Sequence, residues 1–200
     1  MLPTSTSRAL KEWAVVVRAL EAGQQIVILR KGGISEVGNE FRIEFPEFLF
    51  YPTYEHQKAD SLVTAFVPAL ERAQREAPAP DCLRISSFAR VTDSFDILTE
   101  SQVTALRPYH IWSDAYALDR LRWRPTKPLA ALALRVYRLA NEVVLPFQPT
   151  YRGCTSWVTL DQDIELAGAE PVLADEEYQR QTTELSIALG GVGVLAEQRQ

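Results

Sequence analysis

The stretch that most constrains the fold is the most hydrophobic one, residues 129–139 (LAALALRVYRL). Its second half, residues 134–139, alternates apolar and polar positions, which is typical of a strand with one buried face. The arginines at 135 and 138 are then predicted on the open face. No apolar run reaches the roughly 18 residues that a membrane-spanning helix needs. The sequence therefore predicts a sheet strand here and no contact with a membrane.

Other patterns predict both strands and helices. A β-branched run at residues 13–17 (WAVVV) favours a strand. Thr99 begins a helix with a capping pattern, because Gln102 follows it three residues later. Further strands are predicted at residues 25–29, 41–45, 83–91 and 157–160, and further helices at 60–76, 116–123 and 174–189. The predicted fold class is α+β.

Size and composition predict one compact domain. The chain has 200 residues, of which 46% are hydrophobic and 24% charged, and a chain of this length can bury a large core without a metal or disulfide. Cys82 and Cys154, the two cysteines, are predicted to be reduced thiols of a cytoplasmic protein. The N-terminus has no apolar segment of a signal peptide. Residues 1–165 are predicted to form the domain, and residues 166–200 an acidic helix and a loose tail.

The net charge of −5 is unevenly distributed. Residues 107–152 carry a charge of +5, whereas residues 153–200 carry −7. A basic middle region can attract a polyanion locally. The alternative is a solvated surface whose charges pair with the acidic C-terminal region.

The densest polar and aromatic segment is residues 50–57 (FYPTYEHQ). Tyr54, Glu55 and His56 are candidate ligand-binding residues, because a carboxylate beside an imidazole can tune proton transfer near neutral pH. The alternative is a helix start in which Thr53 caps the first turn.

A second candidate segment combines arginines with aromatic rings. It contains His110 and Trp112, followed by Arg122, Trp123 and Arg124. Arginines can hold phosphates while rings stack on bases. The alternative is that both tryptophans anchor the core, since tryptophans are usually buried. Arg30 and Lys31, which precede a pair of glycines, complete the set of candidates.

No pattern predicts a cofactor or a metal. The two histidines, His56 and His110, have no further ligand at metal-binding spacing. Nucleotide-binding and hydrolase motifs are absent from the sequence. The sequence therefore favours binding over catalysis.

The chain resembles an uncharacterised bacterial family, common in cyanobacteria and known only as a domain of unknown function. The resemblance covers about residues 9–160 and implies no activity. It is carried by residues 9–14 (ALKEWA), 29–34 (LRKGGI), 47–57 (EFLFYPTYEHQ), 110–112 (HIW), 134–139 (LRVYRL) and 153–157 (GCTSW).

A second resemblance is to ASCH domains, RNA-associated members of the PUA-like superfamily. Their Gly-x-Lys-x-x-Glu-x-Arg signature follows the first helix, and here Gly23 and Arg30 keep its spacing while Gln25 and Ile28 replace the Lys and Glu. This similarity implies a mixed or antiparallel, β-barrel-like sheet with flanking helices and a cleft for RNA or a nucleotide. The two replacements put ASCH-type catalysis in doubt.

These observations predict a module that binds nucleic acid, in particular RNA, or a nucleotide. One alternative is a diverged magnesium-dependent nuclease of the PD-(D/E)XK kind, with Glu44, Glu47 and Glu55 as metal ligands. The other is a scaffold without catalytic activity that binds protein partners through its acidic C-terminal region.

Overall fold

The computed structural model of the chain describes residues 2–31, 43, 45–153, 155–191 and 194–195. The strands are β1 (Ser5–Trp13), β2 (Val27–Arg30), β3 (Glu47–Thr53), β4 (Cys82–Ile97), β5 (Leu129–Pro146), β6 (Trp157–Glu165), β7 (Glu170–Pro171) and β8 (Val194–Leu195). The helices are α1 (Ala14–Glu21), α2 (Val67–Arg75), α3 (Glu100–Ala105), α4 (Asp114–Arg122) and α5 (Asp175–Ala188). Of the predicted strands, the one at residues 41–45 lies largely outside the described residues.

The strands form one mixed sheet in the order β2-β5-β4-β3-β1-β6. β1 and β3 are parallel, and the other neighbours in this order are antiparallel. β7 pairs with β5, and β8 pairs with β4. Within the described residues no pairing joins β2 to β6, so the sheet is not closed into a barrel. The predicted α+β class with a mixed sheet and flanking helices is confirmed.

β4 and β5 form the longest ladder of the sheet, and the segment between them carries α3 and α4. The ladder shifts register between Ile85 and Ser87 and again between Val91 and Asp93, and such bulges bend a strand. Thr99 begins α3 with the predicted capping box, in which its side chain accepts from the backbone of Gln102. The connection at residues 98–128 is therefore fixed at both ends by the same ladder.

The sheet separates two clusters of buried apolar side chains. The larger contains most of α1 and β2, and the smaller contains Leu49, Phe88 and Leu160. The predicted strand at residues 13–17 is wrong, because β1 ends at Trp13 and α1 begins at Ala14. Val15, Val16 and Val17 are at most 2% exposed, so packing against the core overrides their preference for strands.

The C-terminal helix packs onto the sheet through Tyr178 and Leu185, which lie in the larger cluster. Arg135 is 6% exposed and donates to the Asp175 carboxylate at 2.5 Å. The prediction that both arginines of β5 lie on an open face is therefore wrong for Arg135 and correct for Arg138, which is exposed. The division at residue 165 stays a prediction. No helix within the described residues is long and apolar enough to cross a membrane.

Candidate functional site

Three aromatic rings from two distant parts of the sequence meet beside α4. Trp13 ends β1, Trp112 precedes α4, and Tyr116 lies in its first turn. The Trp13 and Trp112 ring centroids are 4.9 Å apart at an interplanar angle of 67°, and those of Trp112 and Tyr116 are 4.4 Å apart at 20°. Edge-to-face and stacked pairs of this kind are the favoured aromatic arrangements. Trp112 is only 4% exposed, so this group belongs to the core.

The same row of side chains continues along α4 to the surface. Tyr116, Arg120 and Trp123 follow one another at helical spacing and therefore share a face. The guanidinium carbon of Arg120 lies 5.5 Å from the Tyr116 ring centroid and 5.6 Å from that of Trp123, and that of Arg124 lies 4.4 Å from Trp123. Trp123 is 38% exposed. We call this row the aromatic ladder; it consists of Trp13, Trp112, Tyr116, Arg120, Trp123 and Arg124.

Arg30 and Lys31 lie beside the ladder, but their charged groups are bound inside the protein. Lys31 Nζ donates to the carbonyl oxygen of Leu121 at 2.5 Å, and burial lowers the pKa of this amine. Arg30 Nη2 donates to Glu12 Oε2 at 2.9 Å. Lys31 is 5% exposed. Arg30 therefore joins the end of β2 to β1, and Lys31 joins the residue after β2 to α4. Their predicted role toward a ligand stays a prediction.

Arg122 and Arg124 flank Trp123 at the end of α4. Arg122 Nη2 lies 2.6 Å from Glu100 Oε1, and both side chains are 61% exposed. Arg124 has a φ of 51°, a left-handed backbone conformation that side chains other than glycine seldom adopt. Its carbonyl oxygen accepts from the backbone N–H of Lys127 at 3.0 Å. The turn therefore ends the helix and keeps Trp123 at the surface.

His110 lies in the core rather than at a binding surface. It is 5% exposed, and neither ring nitrogen has a hydrogen bond of good geometry to a described residue. Burial lowers the pKa of His110 to about 4, although Asp114 acts in the opposite direction. The imidazole is therefore neutral at pH 7, as an uncompensated buried histidine is expected to be.

Tyr54, Glu55 and His56 lie in a different region, directly after β3. Glu55 and His56 are exposed, and His56 has a φ of 61°. Tyr54 is half-buried and lines a groove about 750 Å³ in volume. The structure therefore brings seven of the ten predicted site residues around α4 and leaves these three apart from them.

The groove lies between α1 and α2, and we call it the α1–α2 groove. Arg18 on α1 pairs with Glu76 just beyond α2 at 2.7 Å, and Arg84 on β4 lies 3.2 Å from Glu142 on β5. Sequence reasoning named only Tyr54 of these lining residues, because the others come from four separate segments without a shared motif. The spacing of Tyr116, Arg120 and Trp123 in a predicted helix was a signal that could have identified the ladder.

The acids proposed as magnesium ligands do not form a cluster in the described residues. Glu47 pairs with Arg90 at 2.6 Å, and Glu55 lies in an exposed turn. Glu44 lies outside the described residues. Over the part of the chain that the structure describes, no group of three or more His, Cys, Asp or Glu residues could hold a metal ion.

Comparison with known proteins identifies one family. The family model described as "Domain of unknown function (DUF1802)" matches residues 9–184. No curated protein matches the chain. Two solved structures that match the chain are a serine-to-alanine and a tyrosine-to-phenylalanine variant of the ASCH protein ZmASCH from Zymomonas mobilis. The first is 16% identical, covers 91% of this chain and 98% of its own, and has a TM-score of 0.37. The second is 14% identical, covers 88% and 96%, and has a TM-score of 0.39.

Proposed function

We propose that this chain, which belongs to the DUF1802 family of unknown function, binds single-stranded nucleic acid through the exposed end of the aromatic ladder. Trp123 stacks on a base, and Arg120 and Arg124 contact the adjacent phosphates. The observation that carries the proposal is a tryptophan 38% exposed between two guanidinium groups, whose carbon atoms lie 4.4 and 5.6 Å from its ring centroid.

The chemistry of this arrangement suits an unpaired nucleotide. Every base has a π-face, so stacking on an aromatic side chain stabilises binding by about 1–3 kcal/mol per base without demanding a particular sequence. Guanidinium groups contact phosphates as forked donors and stack on planar rings. The ladder presents both functions within residues 120–124, at the end of α4 and in the turn after it, and a duplex would keep its bases out of reach of Trp123.

The charge of the α4 segment supports a polyanionic ligand. Residues 114–127, which include α4 and the turn after it, carry four basic and two acidic side chains, a charge of +2 in a protein whose net charge is −5. Local positive potential raises the rate at which a polyanion associates. The left-handed backbone at Arg124 costs about 1 kcal/mol, and costs of this kind concentrate at functional sites.

The test is a fluorescence-anisotropy titration of the full chain with labelled single-stranded RNA, single-stranded DNA and duplex DNA. We expect binding to the single strands that weakens steeply between ~50 and ~200 mM salt, because phosphate contacts release counterions. Binding also quenches the fluorescence of Trp123. Equal affinity for the duplex would contradict the stacking role.

A matched pair of charge reversals separates this surface from charge in general. Arg124 lies over Trp123, and Arg152 lies over the ring of Phe147 at 5.6 Å on another part of the surface. Arg124→Glu is expected to abolish binding, whereas Arg152→Glu changes net charge equally and is expected to retain most of it. An equal loss of nucleic-acid binding in both variants would mean that binding depends on net charge and not on this surface.

A further inference from the structure

Both apolar and polar side chains line the α1–α2 groove. The apolar ones include Ala65, Phe66 and Ala69, from the start of α2 and the turn before it. The polar ones include Tyr54 and Arg84. A volume of about 750 Å³ lies within the range of roughly 300–1,000 Å³ that is typical of small-molecule sites. The size and the mixed lining suit a small ligand with one apolar and one polar part.

The three carboxylates that line the groove already have partners. Glu21 Oε1 accepts from the hydroxyls of Ser86 at 2.5 Å and Ser87 at 2.6 Å. Glu76 and Glu142 face Arg18 and Arg84. The acidic side chains therefore join α1 to the end of α2, α1 to β4, and β4 to β5.

Two donors of the groove, by contrast, are placed to serve a ligand. Tyr54 lines the groove, and its hydroxyl is not among the buried polar atoms that lack a hydrogen-bond partner. Arg84 Nε is buried and, although it lies 3.2 Å from Glu142 Oε1 in an ion pair, it does not have the geometry of a hydrogen bond. A buried donor such as Arg84 Nε costs about 1–3 kcal/mol when it lacks an acceptor, and an oxygen atom of a ligand would remove that cost.

The charges around Tyr54 favour an anion at this position. Burial raises the pKa of the Tyr54 hydroxyl. Of the neighbouring charges, Arg18 and Arg84 lower this pKa, and each acts more strongly than Glu21 or Glu142, which raise it. Arg18, Arg72 and Arg84 all line the groove, and a guanidinium group has N–H donors to spare for an anion after pairing with one carboxylate.

We propose that the α1–α2 groove binds a small amphipathic organic anion. Its carboxylate or phosphate accepts hydrogen bonds from the Tyr54 hydroxyl and the Arg84 guanidinium, and its apolar body packs against Phe66 and Ala69. The groove is a separate site from the aromatic ladder and does not depend on nucleic-acid binding.

The first experiment compares three probes that share one ring system, titrated into the full chain by calorimetry: naphthoate, naphthyl phosphate and the neutral naphthamide. At least one anion is expected to bind roughly tenfold or more tightly than naphthamide, as a hydrogen bond to a charged group predicts. The stronger of the two anions identifies the head group. Equal binding of all three probes, or no binding of either anion, to the unsubstituted chain would overturn the proposal.

The second experiment removes one donor at a time. Tyr54→Phe keeps the ring and is expected to weaken binding of the preferred anion about tenfold while leaving naphthamide unaffected. Tyr137→Phe, which alters a ring stacked on Phe88 at 4.8 Å in the smaller core, is the matched control and is expected to change neither affinity. An anion affinity that survives Tyr54→Phe unchanged would overturn the assignment of the head-group position.

The two proposals fail independently. Trp123→Ala is expected to weaken nucleic-acid binding and leave naphthoate or naphthyl phosphate binding unchanged. Tyr54→Phe is expected to do the reverse. Loss of both nucleic-acid binding and anion binding in either variant would contradict the assignment of two separate sites.

Discussion

Trp112 and Trp123 lie at opposite ends of α4 and differ in almost everything but residue type. Trp112 is 4% exposed and contacts Trp13 and Tyr116, whereas Trp123 is 38% exposed and lies between Arg120 and Arg124. The two tryptophans differ because α4, which lies between them, begins in the core and ends at the surface. The comparison teaches that a basic and aromatic segment can serve stability at one end and recognition at the other.

The largest effect expected from this comparison is on stability. Trp112→Ala removes a buried ring and is expected to lower the free energy of unfolding by about 3–5 kcal/mol. Trp123→Ala removes an exposed ring and is expected to lower it by less than about 1 kcal/mol. Urea titrations of the two variants check this difference. Similar losses in both would break the distinction between the buried and exposed ends.

The buried end is also expected to make stability depend on pH. The pKa of His110 is about 4 in the folded protein and about 6.5 when unfolded. Between these values the unfolded chain binds the additional proton, so stability falls as the pH falls from about 6.5 to about 4, by up to about 3 kcal/mol.

His110→Phe is expected to remove this part of the pH dependence. Urea unfolding of the wild type and the variant at about pH 7 and about pH 4.5 measures the difference between their slopes, which separates His110 from the carboxylates common to both. Identical slopes would mean that His110 gains a proton in the folded state as readily as in the unfolded chain.

The exposed end is expected to dominate binding. Trp123→Ala is expected to weaken single-stranded RNA binding by about 1–3 kcal/mol, or roughly fivefold to a hundredfold, because one stacked base is lost. Trp112→Phe keeps an aromatic ring in the core and serves as the control, with little expected change. Anisotropy titrations at one salt concentration compare the two. A larger loss in Trp112→Phe would reverse the proposed roles.

The smallest effect is expected at Arg122, whereas Arg124 lies 4.4 Å from the Trp123 ring centroid. Arg122→Gln removes the exposed ion pair with Glu100, and such pairs contribute little to stability, so the melting temperature is expected to stay unchanged. Arg124→Gln is expected to weaken RNA binding more than Arg122→Gln and to reduce the salt slope by about one. Weaker RNA binding by Arg124→Gln than by Arg122→Gln at both of two salt concentrations would support the phosphate contact of Arg124. The opposite order would assign that contact to Arg122.

Local patterns predicted local structure well. The capping box at Thr99 depends on a residue only three positions away, and the alternation of residues 134–139 matches their place in β5. The helical pattern at residues 116–123 corresponds to α4, which spans Asp114–Arg122. In each case the interactions that decide the conformation come from neighbours in the sequence.

The candidate sites were only partly predictable. The sequence singled out Trp112, Trp123 and Arg124, yet it could not distinguish the buried tryptophan from the exposed one. Arg30 and Lys31 looked like surface cations, and the structure binds them to Glu12 and to the carbonyl oxygen of Leu121. The α1–α2 groove has no sequence signal, because its residues meet only after α1, α2 and the β4–β5 ladder have packed.

The sequence by itself determined the α+β class, the family, the strand at β5, the helix at α4 and the concentration of positive charge between residues 107 and 152. The tertiary structure decided that residues 14–17 are helical, that Arg135 and His110 are buried, and that Trp123 remains at the surface. Periodicity and charge are properties of a segment, whereas burial depends on which distant segments pack against it.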